Sequence, residues 1–207
     1  MNHAPYSELL FARIRDIYGL EKQLAQSLPS FSAITRDSEL RERIDEMARR
    51  SVVRTGRLLA LFATHRVRLG ICVDEALKGV ISGANMQLAD MRDAATRDVL
   101  VAAHCLRIAH DSLASCEEAA CLAHRSGFTN EWEQLANLFI EQQDTVQCFD
   151  RIGVRLFEEQ VRLAKRRRKV ARSHRLPSNP GRGVSYQLPE VMSPGREAGG
   201  LDAVLSR

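Results

Sequence analysis

Residues 8–28 read ELLFARIRDIYGLEKQLAQSL. Leu10, Ile14, Ile17, Leu24 and Leu28 recur at steps of three and four, which places them on one helical face. Glu21 falls on the same face, at the step between Ile17 and Leu24. Such a face buries against other helices. A carboxylate within it is costly unless it is paired or bound to metal. The question for the rest of the chain is what this carboxylate meets.

Working outward, the same periodicity returns. The first helix is expected over about 7–28, ended or kinked by Pro29. Asp37 or Ser38 is placed to cap a second helix reaching about residue 65, with Leu40, Ile44, Met47, Ser51, Leu58 and Phe62 as its seam and Gly70 breaking it. Asp74 starts a shorter helix to about residue 91, which contains Gly79 and Gly83. A fourth runs from about 96 to 125, with Gly127 as its stop. Thr129 or Asn130 caps a fifth, with Glu133 completing a capping box. The fifth carries Leu135, Leu138, Phe139, Val146, Phe149, Ile152 and Leu156 and is open to continuing into KRRRK. Four long striped helices and one short one, joined by short loops, bury their stripes as an antiparallel bundle.

Composition agrees with an all-α domain. Aromatics are only 5% of the 207 residues, and Val and Ile form no strand-like alternation. No apolar run approaches the roughly 18 residues that span a bilayer. The start, MNHAPYSELLFAR, has no signal-peptide core. A cytoplasmic protein without membrane contact is expected. The five cysteines, Cys72, Cys105, Cys116, Cys121 and Cys148, are odd in number and form no CxxC, so they read as small buried hydrophobes. The net charge of +4 is unevenly spread. Basic residues gather from Lys165 onward, where Glu190, Glu197 and Asp202 are the acids, which leaves the preceding part mildly acidic. Beyond Ser173 lie four of the six prolines and five of the twelve glycines, and no helical stripe survives. Residues 1–164 are therefore read as the bundle and 165–207 as a disordered, basic, Pro/Gly-rich tail.

YGLEKQL followed by LPSF, at residues 18–31, resembles the opening of the YciF-type family of bacterial stress proteins in the ferritin-like superfamily. The resemblance extends loosely over about 7–160. It implies a ferritin-like four-helix bundle with an extra short helix. It also implies inward carboxylates and histidines able to hold two iron or manganese ions. Carried over position by position, it makes Glu21 the first-helix ligand. Where the family tends to carry His-Leu-Glu-Glu, this chain has Met47, Ala48, Arg49 and Arg50; where the family has Glu-Glu-Ala-Asn, it has Ser82, Gly83, Ala84 and Asn85. Of a Glu-His-Tyr-Glu stretch only His110 is kept, within Ala109-His110-Asp111-Ser112, and a Glu-Glu pair becomes Glu141 and Gln142. The implied remnant of a metal site is Glu21, His110 and Glu141.

A di-metal centre needs several carboxylates against its positive charge. With most of them gone, no cofactor is expected, and Arg50 is the residue expected to pair with Glu21 or Glu141 inside the bundle. Two sharper metal readings stand beside this. His110, Glu117 and His124 form a stripe at seven-residue steps, and Glu141 and Asp144 are spaced i, i+3. The blander reading of both is a solvated helix flank. No Gly-rich phosphate loop, nucleophile elbow, zinc signature or triad spacing is present, so an enzyme is not the first expectation.

Three functions follow. The first is a structural or interaction protein with a degenerate metal site, homodimeric through its helix faces and tied to stress response. The second is a di-metal oxidase using iron or manganese. The third is a bundle that docks to nucleic acid through Lys165, Arg166, Arg167, Arg168 and Lys169.

Overall fold

The computed structural model describes residues 4–173, and among these the chain is helical with short connections. Helix α1 spans Ala4–Ile34, α2 Ser38–Thr64, α3 Glu75–Ala89, α4 Ala94–Arg125 and α5 Thr129–Ser173. None is long and apolar enough to cross a membrane. Three helices begin on an aspartate whose carboxylate accepts from the N–H three residues on: Asp37 from Leu40, Asp74 from Leu77 and Asp93 from Thr96, at 2.8–2.9 Å. A short acceptor at this position satisfies one of the orphan donors of the first turn. α4 stops where Gly127 turns left-handed at φ 77°. Phe128 N–H then reaches Ala123 O and Gly127 N–H reaches His124 O, a pairing that closes the last turn.

Several boundaries differ from expectation. α1 does not end at Pro29 but runs through it, with the ring on the exposed side. α2 is ended by Arg66, which takes φ 55°, before Gly70 is reached. α5 needs no cap from Thr129 or Asn130, which lie inside it, and its first turn includes the bond from Trp132 N–H to Phe128 O. α5 also continues through Lys165–Lys169. The basic run is therefore helical, the continuation that the sequence left open. The disorder expected for the tail falls, from residue 174 on, outside the described residues.

The helices pair in alternating directions. Phe11 near the start of α1 stacks on Phe62 and His65 at the end of α2, with ring centroids 5.7 and 4.9 Å apart. Asp98 at the start of α4 accepts from the backbone N–H groups of Arg36 and Asp37, where α1 gives way to α2. His65 meets Glu131 in the first turn of α5 at 2.5 Å, and Arg155, far along α5, meets Asp37 at 2.8 Å. So α1 and α5 run one way, and α2 and α4 the other. The connection from α2 to α4 must travel the length of the bundle, and it carries α3. This single long crossover is the ferritin-like arrangement. Arg15 holds the crossover to α1 by donating to the carbonyls of Leu69 and Arg68. Gly19 lets it lie close, since a Cβ there would sit 3.3 Å from the Cys72 carbonyl carbon.

The core is two apolar clusters rather than one. Leu20, Leu24, Leu28, Leu40, Ile44, Met47, Phe149 and Ile152 belong to the first. Leu10, Ile14, Ile17, Leu58, Phe62, Leu135 and Leu138 belong to the second. On α2, α4 and α5 the inward side chains between the two sets are polar, and on α1 the sets meet at Ile17 and Leu20 with Glu21 beside them.

Candidate functional site

The level where the two clusters meet holds Glu21 of α1, Ser51 and Arg54 of α2, Ser112 of α4 and Gln142 of α5, all essentially fully buried. Each stands where its helix's apolar seam would place a core side chain. On α2 the seam steps Ile44, Met47, Ser51, Arg54, Leu58; on α5 it steps Leu135, Leu138, Gln142, Thr145, Phe149. Four helices thus bring one polar level to the bundle's middle.

Its geometry centres on Glu21. One carboxylate oxygen, Oε1, accepts from Arg54 Nη1 at 3.3 Å, Gln142 Nε2 at 2.9 Å and Ser112 Oγ at 3.4 Å. Gln142 Nε2 also donates to Ser112 Oγ at 2.6 Å. Arg54 turns its Nε to Glu141 Oε2 at 3.0 Å, and Glu141 Oε1 takes a second arginine, Arg57 Nη1, at 2.6 Å. The order from core to surface is Glu21, Arg54, Glu141, Arg57. The carboxylates and guanidiniums alternate, and only the outer two reach solvent. Glu21 and Arg54 are 0% and 1% exposed. A pair so deep is held by mutual charge and by its hydrogen bonds, because water screens neither member.

The electrostatics follow the geometry. Burial alone would raise the Glu141 carboxyl, but hydrogen bonds from Arg57 and Arg54, with their charges, outweigh it and hold that group below the usual glutamate range. Cys116 is pushed up to about 12, first by burial and then by the nearby Glu21 carboxylate. Cys105 is likewise pushed up to about 12 by burial. The thiols are free; Cys105 and Cys116 are buried, Cys72 and Cys148 half-buried and Cys121 exposed. The reading of the cysteines as buried hydrophobes therefore holds fully for two of the five.

The sequence-expected residues divide. Glu21 and Glu141 are brought together, on opposite sides of the Arg54 guanidinium. His110 is not; it lies exposed on the outer side of α4, as do Glu117 and His124 of the same stripe. The inward position on that helix is Ser112, two residues on, because α4 turns Cys105, Ile108, Ser112 and Cys116 to the core and leaves Leu106 and Leu113 half-buried. Asp144 is exposed beside a groove of about 480 Å³ between α2 and α5. Arg50 does not enter the core. It lies one position off the seam and pairs with Glu46, which Arg43 also holds. The buried arginine is Arg54, one turn further along.

Two divalent ions do not fit this donor set. The level offers one buried carboxylate and one half-buried carboxylate, with hydroxyls and an amide. A permanently charged guanidinium stands between the two acids. Among the described residues no group of three or more His, Cys, Asp or Glu is placed to hold a metal. Lys165–Lys169 lie far from this level along α5 and are exposed.

A family model described as a domain of unknown function, DUF892, matches residues 6–162. Two solved structures share the fold. The Escherichia coli stress protein YciF has a TM-score of 0.69 at 18% identity, covering 74% of this chain and 97% of that one. YcfI from Rhodopseudomonas palustris, for which a structural role has been suggested, has a TM-score of 0.63 at 19% identity, covering 70% and 92%. No curated protein matches the sequence. The resemblance carried by YGLEKQL and LPSF is thus met by a family model and by the fold.

Proposed function

The chain belongs to the DUF892 family, and we propose that this member is a structural or interaction protein whose interior charge is balanced by arginine in place of metal. One observation carries the reading: the Arg54 guanidinium bridges Glu21 and Glu141 at the centre of the bundle. A cation that is part of the chain neutralises the carboxylates at every relevant pH. It needs no loading and supports no redox chemistry. The two clusters of the core are then joined through a fixed polar level, suited to a scaffold.

The stress-related role and cytoplasmic location belong to this proposal. The first is supported by the description of the E. coli neighbour as a stress protein. The homodimer is supported by Val52, Gly56 and Leu59, which share an outward stripe of α2 at i, i+4 and i+7, with Val52 and Leu59 exposed. A single-chain mass in sedimentation equilibrium would exclude it. The di-metal oxidase is the competing reading, and elemental analysis of protein purified without chelator separates the two. Well under one iron or manganese per chain is expected. Two tightly held ions per chain would overturn the proposal.

A further inference from the structure

Helix α5 has 45 residues, against 31, 27 and 32 in α1, α2 and α4. Among the described residues its last buried side chain is Leu156, and the helix runs a further ~20 Å, at ~1.5 Å per residue, to Lys169. This extension holds Lys165, Arg166, Arg167, Arg168 and Lys169, all exposed. Several arginines of the bundle are committed to carboxylates: Arg13, Arg43, Arg50, Arg54, Arg57, Arg151 and Arg155 each make an ion pair. Among the described residues no ion pair engages any of the five, the last pair on the helix being Arg162 with Glu158. Arg167 contributes to the field at Asp93, whose carboxyl is lowered first by hydrogen bonds from Thr96.

The arrangement of the five selects the partner. Successive helical residues step about 100° around the axis, so five in a row encircle the helix. An anionic bilayer would need cations on one side and an apolar stripe on the other. Here Val154, Phe157, Val161 and Ala164 share one face, but that stripe stops before Lys165, and the five cations surround the helix beyond it. A partner with negative charge on both sides of the helix is required. The major groove of B-form DNA, ~12 Å wide, admits an α-helix between two phosphate walls, whereas the deep, narrow groove of duplex RNA does not.

We propose that the projecting end of α5 binds double-stranded DNA through its phosphates, by means of Lys165–Lys169. The contacts position the helix without reading bases, so binding shows little sequence preference. If all five neutralise a phosphate, the affinity falls with a log–log salt slope of about −4.5, and raising salt fourfold weakens binding about 500-fold.

The test is fluorescence anisotropy of a short labelled DNA duplex titrated with the full chain over a salt series. A variant with all five residues changed to Gln is measured in parallel. These side chains lie outside the core and Gln is a good helix former, so the variant should keep the parent circular dichroism. Arg172, Arg175, Arg182, Arg196 and Arg207 remain in it, so a shallow residual slope is compatible with the proposal. The expected result is steep salt dependence for the parent, a slope smaller by at least about 3 in the variant, and weaker binding to duplex RNA and to phosphatidylserine vesicles. The proposal is overturned by absence of binding at low salt, by salt-independent binding, by less than a threefold loss in the variant, or by preference for the vesicles.

Discussion

Breaking the buried pair from each side, and then from both, tests the role given to Arg54. Glu21→Leu removes the acceptor of three hydrogen bonds, from Arg54, Ser112 and Gln142, and leaves a buried guanidinium with Glu141 alone. Losing one partner of a buried pair costs about 3–5 kcal/mol. The lower end is expected here, because Glu141 still holds Arg54 through Nε. Arg54→Met strands the 0%-exposed Glu21 carboxylate with only a neutral amide and a hydroxyl, and the cost should reach the upper part of the same range. The double variant removes both charges and fills the space with apolar side chains, an exchange that is often neutral or stabilising. Gln142 keeps Ser112 and Glu141 keeps Arg57 as partners, so the double variant should lose no more than about 2 kcal/mol. The predicted coupling is at least about 3 kcal/mol. Urea unfolding followed at the helical circular dichroism band measures all four proteins, with equal m-values confirming that the same surface is exposed. Additivity within about 0.5 kcal/mol, or a cost below about 1 kcal/mol for Glu21→Leu, would show that the pair does not organise the core. Glu21→Gln keeps the shape and some hydrogen bonding and should cost less than Glu21→Leu.

Acid should weaken the bundle through Glu141. Its folded pKa lies below the ordinary value of 4.5, so its contribution is present above that value and is lost as pH falls through the lower folded one. Glu141→Gln should flatten the acid limb of the stability curve, and an unchanged limb would place the titration elsewhere. Thiol reactivity should follow burial, because the thiolate is the nucleophile. Alkylation of the native protein near pH 8, read by mass spectrometry, should mark exposed Cys121 first. Cys105 and Cys116, both pushed up to about 12, should react only on unfolding. Early labelling of Cys105 would contradict the packed core.

The bundle was legible because its apolar seams are regular: Leu10 to Leu28 on α1 and Leu40 to Ile44 to Met47 on α2 are buried as their spacing requires. The aspartate starts of α2 and α3 were equally readable, since Asp37 and Asp74 lie directly before those seams. The site was half legible. Glu21 stood out as a charge inside a seam, and its partner was expected to be an arginine of α2. The family register pointed to Arg50, but periodicity alone points to Arg54. Steps of four and three from Ile44 give Met47, Ser51, Arg54 and Leu58, and the same counting on α5 from Leu138 gives Gln142. His110 fails by that rule, being two residues from the inward Ser112. The apolar seam of α4 was itself hard to place, because it is built largely of alanine and cysteine, while Leu106 and Leu113 lie only half-buried beside it.

The pairing of levels across helices could not be read from one chain. Whether Glu21, Arg54, Ser112 and Gln142 share a height depends on how far each helix slides along its neighbours. The ends set this: Asp98 grips the backbone at Arg36 and Asp37, and His65 meets Glu131. Those contacts fix α4 against the α1–α2 turn at one end and α5 against α2 at the other. With both ends held, a slip of one turn, ~5.4 Å, would drag Gln142 off Glu21 and bring Leu138 or Thr145 opposite a buried carboxylate. A polar level in the middle of an otherwise apolar core therefore opposes sliding more strongly than leucines would, because leucine faces leucine at many registers and Glu21 faces Arg54 at one. The arginine that bridges Glu21 and Glu141 thus also opposes sliding between helices, the best-attested use of a buried polar contact between helices.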